Sequence, residues 1–341
     1  MTPLGATTLS EFLSQPEAWS SLLRRLGDGD LTPGFAPADH EEVILFGSGS
    51  SYYLGLAAAD WMRRRGLPAR ALPSCEILLD PEAVAGGRNC LAIGLSRSGR
   101  SSELLLAAEI LSGRGCPVAG VSCTADSAQL LAADHPLHVA EGHEDGLVML
   151  RSFTSMLLTL QWMTGTAEDR AALTALPEAG RRLIADCDGP VAALARARDF
   201  DRFVFLASGA SHPLALEAAL KIQEMSISTS EAYHSLEYRH GPKACANART
   251  LVCLSTLSDR AHGLSLARDM AELGAAVMVV GTDAAAYGEV ANLVLPLPGA
   301  LSPPQAAVLE LLPMQLFAYH TAVRLGRDPD APQNLSRVVT F

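Results

Sequence analysis

Lysine is almost missing from this chain. Of 26 basic residues only Lys221 and Lys243 are lysines, and arginine supplies the other 24. An ammonium is a compact donor whose pKa burial can lower, which a guanidinium does not offer, so the two lysines draw attention to the stretch between them. A positive surplus is missing too. The net charge of −11 leaves nucleic-acid binding without electrostatic support and obliges any anionic substrate to rely on locally placed donors. The seven cysteines (75, 90, 116, 123, 187, 245 and 253) contain no Cys-x-x-Cys pair and no histidine at zinc spacing. They read as reduced thiols, and with no secretory pattern over Met1 to Ser10 the expected location is the cytoplasm. No apolar run reaches the length of a membrane span, so no membrane partner is expected.

What is present is a folded chain of 341 residues, 49% hydrophobic and 18% charged, long enough for two domains with their own cores. Glu42–Phe46, Leu91–Leu95 and Pro117–Val121 are strand-like runs ending in small or polar residues, with helical spacing over Tyr52–Arg65 and Ser101–Ser112. The rhythm restarts with Arg202–Leu206, a Ser-Gly loop and a helix over Pro213–Met225. It continues through Leu251–Ser255, Ala276–Val280 and Leu293–Leu297 to a helix near Pro304–Leu325. Strand, loop and helix in alternation predict α/β units, each a parallel sheet flanked by helices. The expected division is an N-terminal helical segment (1–40), a first domain (41–165), a helical linker (166–200), a second domain (201–327) and a tail (328–341).

Two loops follow strands and open helices in the first half. Gly47-Ser48-Gly49-Ser50-Ser51 offers backbone amides to an anion, but Tyr52 and Arg70 stand where a dinucleotide fingerprint needs glycine and an acid. Read structurally, such a loop is only a tight turn. The second loop, Ser96-Arg97-Ser98-Gly99-Arg100-Ser101, brings three serine hydroxyls and a helix start to one place, with arginine charge beside them. Loops at the carboxyl ends of neighbouring strands meet where open sheets bind ligands.

These loops resemble those of the sugar isomerase (SIS) domain family, which holds phosphosugars. Ser96–Ser101 matches its Ser-x-Ser-Gly-x-Thr/Ser phosphate loop, and Glu144-Asp-Gly-Leu147 through Ser155 resembles the segment closing such a domain. In the second half Ser208-Gly209-Ala-Ser211 echoes the first loop, whereas Leu254–Ser258 has lost the serine pattern. The resemblance implies two tandem SIS domains, each a flavodoxin-like three-layer sandwich, with the second supplying chemistry in place of a second phosphate site.

Leu216–Glu224 reads as one helix on which Lys221 and Glu224 share a face; as a surface ion pair this would be worth only tenths of a kcal/mol. Glu231–His234 then leads to Glu237-Tyr238-Arg239-His240-Gly-Pro-Lys243, where a histidine beside Gly-Pro in a polar loop suits proton transfer. This wording is similar to the isomerase half of glucosamine-6-phosphate synthase, and still more to AgaS-type tagatose-6-phosphate ketose/aldose isomerases or amino-sugar-phosphate deaminases, from about Thr8 onward. The synthase's glutaminase domain has no counterpart, so ammonia from glutamine is not expected.

The resemblance implies Glu224 as the proton shuttle between C1 and C2 of an open-chain sugar. It implies His240 as the ring-opening group, reaching across a homodimer, and Lys221 as a holder of hydroxyls or an oxyanion. Gly49, Ser50, Ser51, Ser96, Arg97, Ser98, Ser101, Leu147, Ser336 and Arg337 would hold the sugar phosphate. The chain departs from the synthase in two places: Arg337 stands where it has a lysine, as AgaS-like tails do, and in the phosphate loop Arg97 and Arg100 stand where it has Gln and Glu. No metal and no cofactor is expected. The reading is an amino-sugar 6-phosphate isomerase that releases ammonia. A neutral hexose phosphate isomerase and a non-catalytic phosphosugar sensor stay as alternatives, the sensor having no need of both Glu224 and His240.

Overall fold

The computed structural model describes residues 3–84 and 89–340. In chain order its elements are α1 (Ala6–Leu13), α2 (Gln15–Asp28), β1 (Glu42–Gly47), α3 (Ser50–Arg63), β2 (Ala69–Pro73), α4 (Ser74–Leu79), β3 (Cys90–Ser96), α5 (Ser102–Gly113), β4 (Val118–Ser122), α6 (Ala128–Ala132), β5 (His135–His138), α7 (Arg151–Thr164), α8 (Ala167–Leu173) and α9 (Leu176–Ala197). The second half contains β6 (Arg202–Ala207), α10 (His212–Ser226), β7 (Ser230–His234), β8 (Thr250–Ser255), α11 (Arg260–Glu272), β9 (Ala276–Gly281), β10 (Leu293–Pro296) and α12 (Ala307–Arg324).

Two five-stranded parallel sheets result, ordered β2-β1-β3-β4-β5 and β10-β9-β8-β6-β7. The central strands are buried along nearly their whole length, as strands covered by helices on both faces must be. Their apolar runs are the ones the sequence announces. The strands it does not announce, β2, β5 and β7, all lie at sheet edges and are half exposed. An edge strand answers to solvent on one side and needs no apolar run.

The chain divides into two compact units that do not follow a single cut. One holds Ser14–Asp145, Met149–Pro177 and the chain from Ser336 onward; the other holds the chain up to Leu13, Gly146–Val148 and Glu178–Leu335. In the first unit the buried Trp19 of α2 donates its indole N–H to Thr154 Oγ1 on α7 (2.9 Å), and Thr154 passes its own proton to Gln15 Oε1 (2.8 Å). In the second, Asp330 accepts from the Thr7 and Thr8 amides (2.8 Å each), fastening α1 near the end of α12.

One sequence expectation is corrected here. Cys90 and Cys116 are joined in a disulfide, with Cα atoms 5.2 Å apart, so the seven thiols are not all reduced. Cys90 opens β3 and Cys116 precedes β4; the parallel pairing of those strands, with Ala92 opposite Val118, brings both sulfurs to one end of the sheet. Spacing rules catch pairs that are close in sequence, and these stand 26 residues apart. Prepared without reductant, the chain should weigh about 2 Da less than after reduction, with the difference abolished in Cys116→Ser. That variant should also be less stable by roughly 2–4 kcal/mol. Equal masses would show both thiols free.

Candidate functional site

At the carboxyl end of β1 the chain turns into α3 through Gly49, at φ 56° and ψ −127°, a conformation that glycine adopts without steric cost. Ser50 and Ser51 begin the helix and are buried. At the end of the adjacent β3, Ser96 Oγ accepts from the Gly99 amide (3.0 Å) and Ser98 Oγ faces the Arg100 amide at 3.4 Å. Ser101 then takes the N-cap position of α5. Gly99 has φ 60°, and a Cβ there would lie 2.4 Å from Ser127 Oγ, so this turn needs glycine for both backbone and space. The two loops are tied directly: Ser48 Oγ donates to Glu103 Oε2 in the first turn of α5 (2.8 Å). Gly49, Ser50, Ser51, Ser96, Ser98 and Ser101 thus share one end of one sheet.

Arg97 behaves differently from its loop neighbours. It is buried, and its guanidinium reaches Glu144 Oε2 at 3.7 Å. Its carbonyl accepts from Ser122 Oγ (3.1 Å) and Thr124 Oγ1 (3.0 Å). The residue therefore spends its charge inside the unit. Glu144 has no exposed surface and accepts from the Leu150 amide (2.7 Å), the Ser152 amide (3.2 Å) and Ser152 Oγ (2.5 Å). The tail joins the same segment: Arg337 donates to the carbonyls of Glu144 and of Asp145 (3.2 Å), and the Ser102 amide donates to Val339 O (3.3 Å). Ser336 is exposed, its hydroxyl turned to Val338 O (3.2 Å).

In the other unit, α10 carries three charged residues on one face. Lys221 is fully buried, its ammonium 3.1 Å from Glu217 Oε1 and 2.5 Å from Glu224 Oε2. Burial alone would lower the lysine pKa; the two carboxylates outweigh it, and the pKa is raised. Glu217 is fully buried, whereas Glu224 keeps a 16% exposed side chain. The ammonium thus joins an interior carboxylate to one that solvent can reach. Within the unit the buried Lys221 ammonium is engaged by these two carboxylates. Helix α10 ends in Ile227 at φ 53°, a left-handed conformation that a β-branched residue adopts only under strain. His240 is exposed just after a short 3-10 turn (Glu237–Arg239). Leu147 belongs to this unit as well, next to Gly146, whose amide donates to the buried Glu11 (3.1 Å).

The loop after β6 is built to other ends. Ser211 Oγ donates to Glu310 Oε2 of α12 (2.8 Å), and Ser208 Oγ accepts from the Ser235 amide (3.3 Å). Burial pushes the Glu310 carboxyl up to about 7, against the opposing hydrogen bonds of Ser255 and Ser211. His212 and His234 stack with centroids 3.7 Å apart. Burial, then the neighbouring His234, lowers His212 to about 4, so it is neutral at pH 7. Among the described residues no group of three or more His, Cys, Asp and Glu side chains is placed to hold a metal ion, and no helix is long and apolar enough to cross a membrane.

Sequence reasoning missed Glu217 and Glu144. Glu217 was visible in principle, since it stands four residues before Lys221 on the same helix. Glu144 was not, because Arg97 is 47 positions away.

The match to known proteins follows these loops. The SIS domain family model matches residues 38–164 of the chain. The chain is similar to glutamine–fructose-6-phosphate aminotransferase (isomerizing) of Pyrobaculum aerophilum, with 30% identity over 97% of this chain and 57% of the relative. The same-named protein of Aquifex aeolicus is 27% identical over 97% and 57%. The chain therefore spans little more than half the length of these curated relatives. Among solved structures, glucosamine-6-phosphate deaminase from Thermotoga maritima superposes with a TM-score of 0.84 at 29% identity, covering 98% of this chain and 100% of that one. Tagatose-6-phosphate ketose/aldose isomerase from Escherichia coli gives 0.83 at 22% identity over 98% of each, a likeness of fold.

Glu310 makes the stability depend on pH. Its folded pKa is about 7, above the unfolded value near 4.3, so the folded state holds the proton more tightly. Stability should fall as pH rises from about 4 through 7, by about 4 kcal/mol in total. Glu310→Gln should remove that slope and be the more stable protein above pH 7. Parallel pH profiles of denaturant midpoint for the two proteins would show the carboxyl carries no such penalty.

Proposed function

We propose that this chain is a phosphosugar aldose–ketose isomerase acting on an amino-sugar 6-phosphate, with release of ammonia and a ketose 6-phosphate. The observation that carries the reading is the Glu217–Lys221–Glu224 array on α10, which holds one partly exposed carboxylate against a buried ammonium. Similarity at 29–30% identity to proteins named for fructose 6-phosphate and glucosamine 6-phosphate supports the substrate class. The strand order of each sheet, 2-1-3-4-5 in local numbering, supports the flavodoxin-like reading of both halves.

The chemistry asks little beyond these groups. Ser96, Ser98 and Ser101, with the amides at the start of α5 and with Gly49, Ser50 and Ser51, hold the phosphate. Arg97 shapes that loop from behind, and Leu147, Ser336 and Arg337 border the sugar. His240 moves a proton from the anomeric hydroxyl to the ring oxygen and opens the pyranose; its exposure suits delivery to a second copy in a homodimer. Glu224 takes the C2 proton of the open-chain aldehyde, giving an enaminol, and returns it to C1. The resulting C2 iminium adds water and expels ammonia, leaving a ketone at C2. A neutral sugar phosphate would stop at the ketose through the enediol. Lys221 keeps Glu224 oriented between the two transfers.

Galactosamine 6-phosphate and glucosamine 6-phosphate, assayed for ammonia and ketose phosphate, test the proposal. At least one should turn over, and Glu224→Gln should lose about 10²–10⁴-fold in kcat while still binding the sugar phosphate. Binding of both sugars by the wild-type chain without turnover would replace the enzyme with a phosphosugar sensor.

A further inference from the structure

The contacts of Glu144 reach several of the segments assigned above to the sugar phosphate. The residue lies between β5 and α7, has no exposed surface, and spends its oxygens on three donors from Leu150 and Ser152. Its fourth partner, Arg97, is the second residue of the Ser96–Ser101 loop, at 3.7 Å. The backbone carbonyl of Glu144 accepts from Arg337 of the tail. A buried carboxylate without its counter-charge is costly, so Arg97 cannot swing outward without stranding Glu144. The serines on either side of Arg97 inherit that restraint: Ser96 Oγ accepts from the Gly99 amide, and the partly exposed Ser98 keeps its hydroxyl near the Arg100 amide.

We propose that Glu144 is a positioning residue for anion binding, which fixes the shape of the Ser96–Ser101 loop through Arg97 and joins that loop to the start of α7. The role deepens the phosphosugar reading and rests on it. Glu144 touches no substrate; it keeps the loop's hydroxyls and amides convergent before the phosphate arrives, so that binding does not have to order them.

Calorimetric titration of the full chain with inorganic phosphate tests this. Glu144→Gln keeps the side chain's shape and removes its charge; it should weaken phosphate binding about tenfold, and Arg97→Met should do the same, because each leaves the other partner unmatched. The double variant should also be about tenfold weaker, not a hundredfold, since the two residues act as one element. Glu144→Asp, which retains the charge, should recover most of the affinity. Should Glu144→Gln fail to fold, Ser152→Ala takes its place: it removes one donor from the same carboxylate and should cost about threefold. A merely structural role would lower the melting temperature of these variants and leave their phosphate affinity at the wild-type value. That result, or additive losses in the double variant, would overturn the role of Glu144 alone. Absence of phosphate binding by the wild-type chain would overturn the phosphosugar reading along with it.

Discussion

A charge removed from water must find its counter-charge and its hydrogen bonds inside the protein, and that requirement shapes both units of this chain. In one, Glu144 is wholly buried and is answered by Arg97 and by donors from Leu150 and Ser152. In the other, Lys221 is wholly buried and is answered by Glu217 and Glu224. Removing one partner of such a pair costs about 3–5 kcal/mol because the other is stranded. Each charged group therefore has very few places to go. The rigidity passes outward to less buried neighbours: Ser98 beside Arg97, and the partly exposed side chain of Glu224.

The two halves share a strand order but use their first loops differently. In the first half Ser98 and Ser101 are partly exposed, Ser96 accepts from the Gly99 amide, and Glu103 in the first turn of α5 is taken by Ser48. In the second half Ser211 spends its proton on Glu310, and Ser208 is used by the Ser235 amide. A carboxyl placed directly beneath a loop opposes an anion above it. The same architecture thus carries a partly exposed serine turn in one sheet and supports the helix bearing Lys221 and Glu224 in the other.

Much of this was legible in the order of residues. Continuous apolar runs marked β1, β3, β4, β6, β8 and β9, because a strand covered on both faces has to be apolar throughout. The serine- and glycine-rich turns marked the points where β1 and β3 give way to helices, since small and hydroxyl-bearing residues suit tight turns and helix starts. The three-residue spacing of Lys221 and Glu224 placed them together because a helix repeats every 3.6 residues. Edge strands β2, β5 and β7 were not legible, as half-exposed strands carry no distinctive pattern.

What the chain order determined by itself was therefore local: periodicity, turn chemistry and neighbours within one helix, all set by backbone geometry over a few residues. What only the tertiary structure decided was which distant groups meet. The Cys90–Cys116 bond, the partnership of Arg97 with Glu144, the hold of Arg337 on the same segment and the Glu310 carboxyl under Ser211 each join residues 26 or more positions apart. No local preference encodes such meetings. They are selected because burial leaves a charge or a polar group with no water to turn to, and the packed fold must supply its partners.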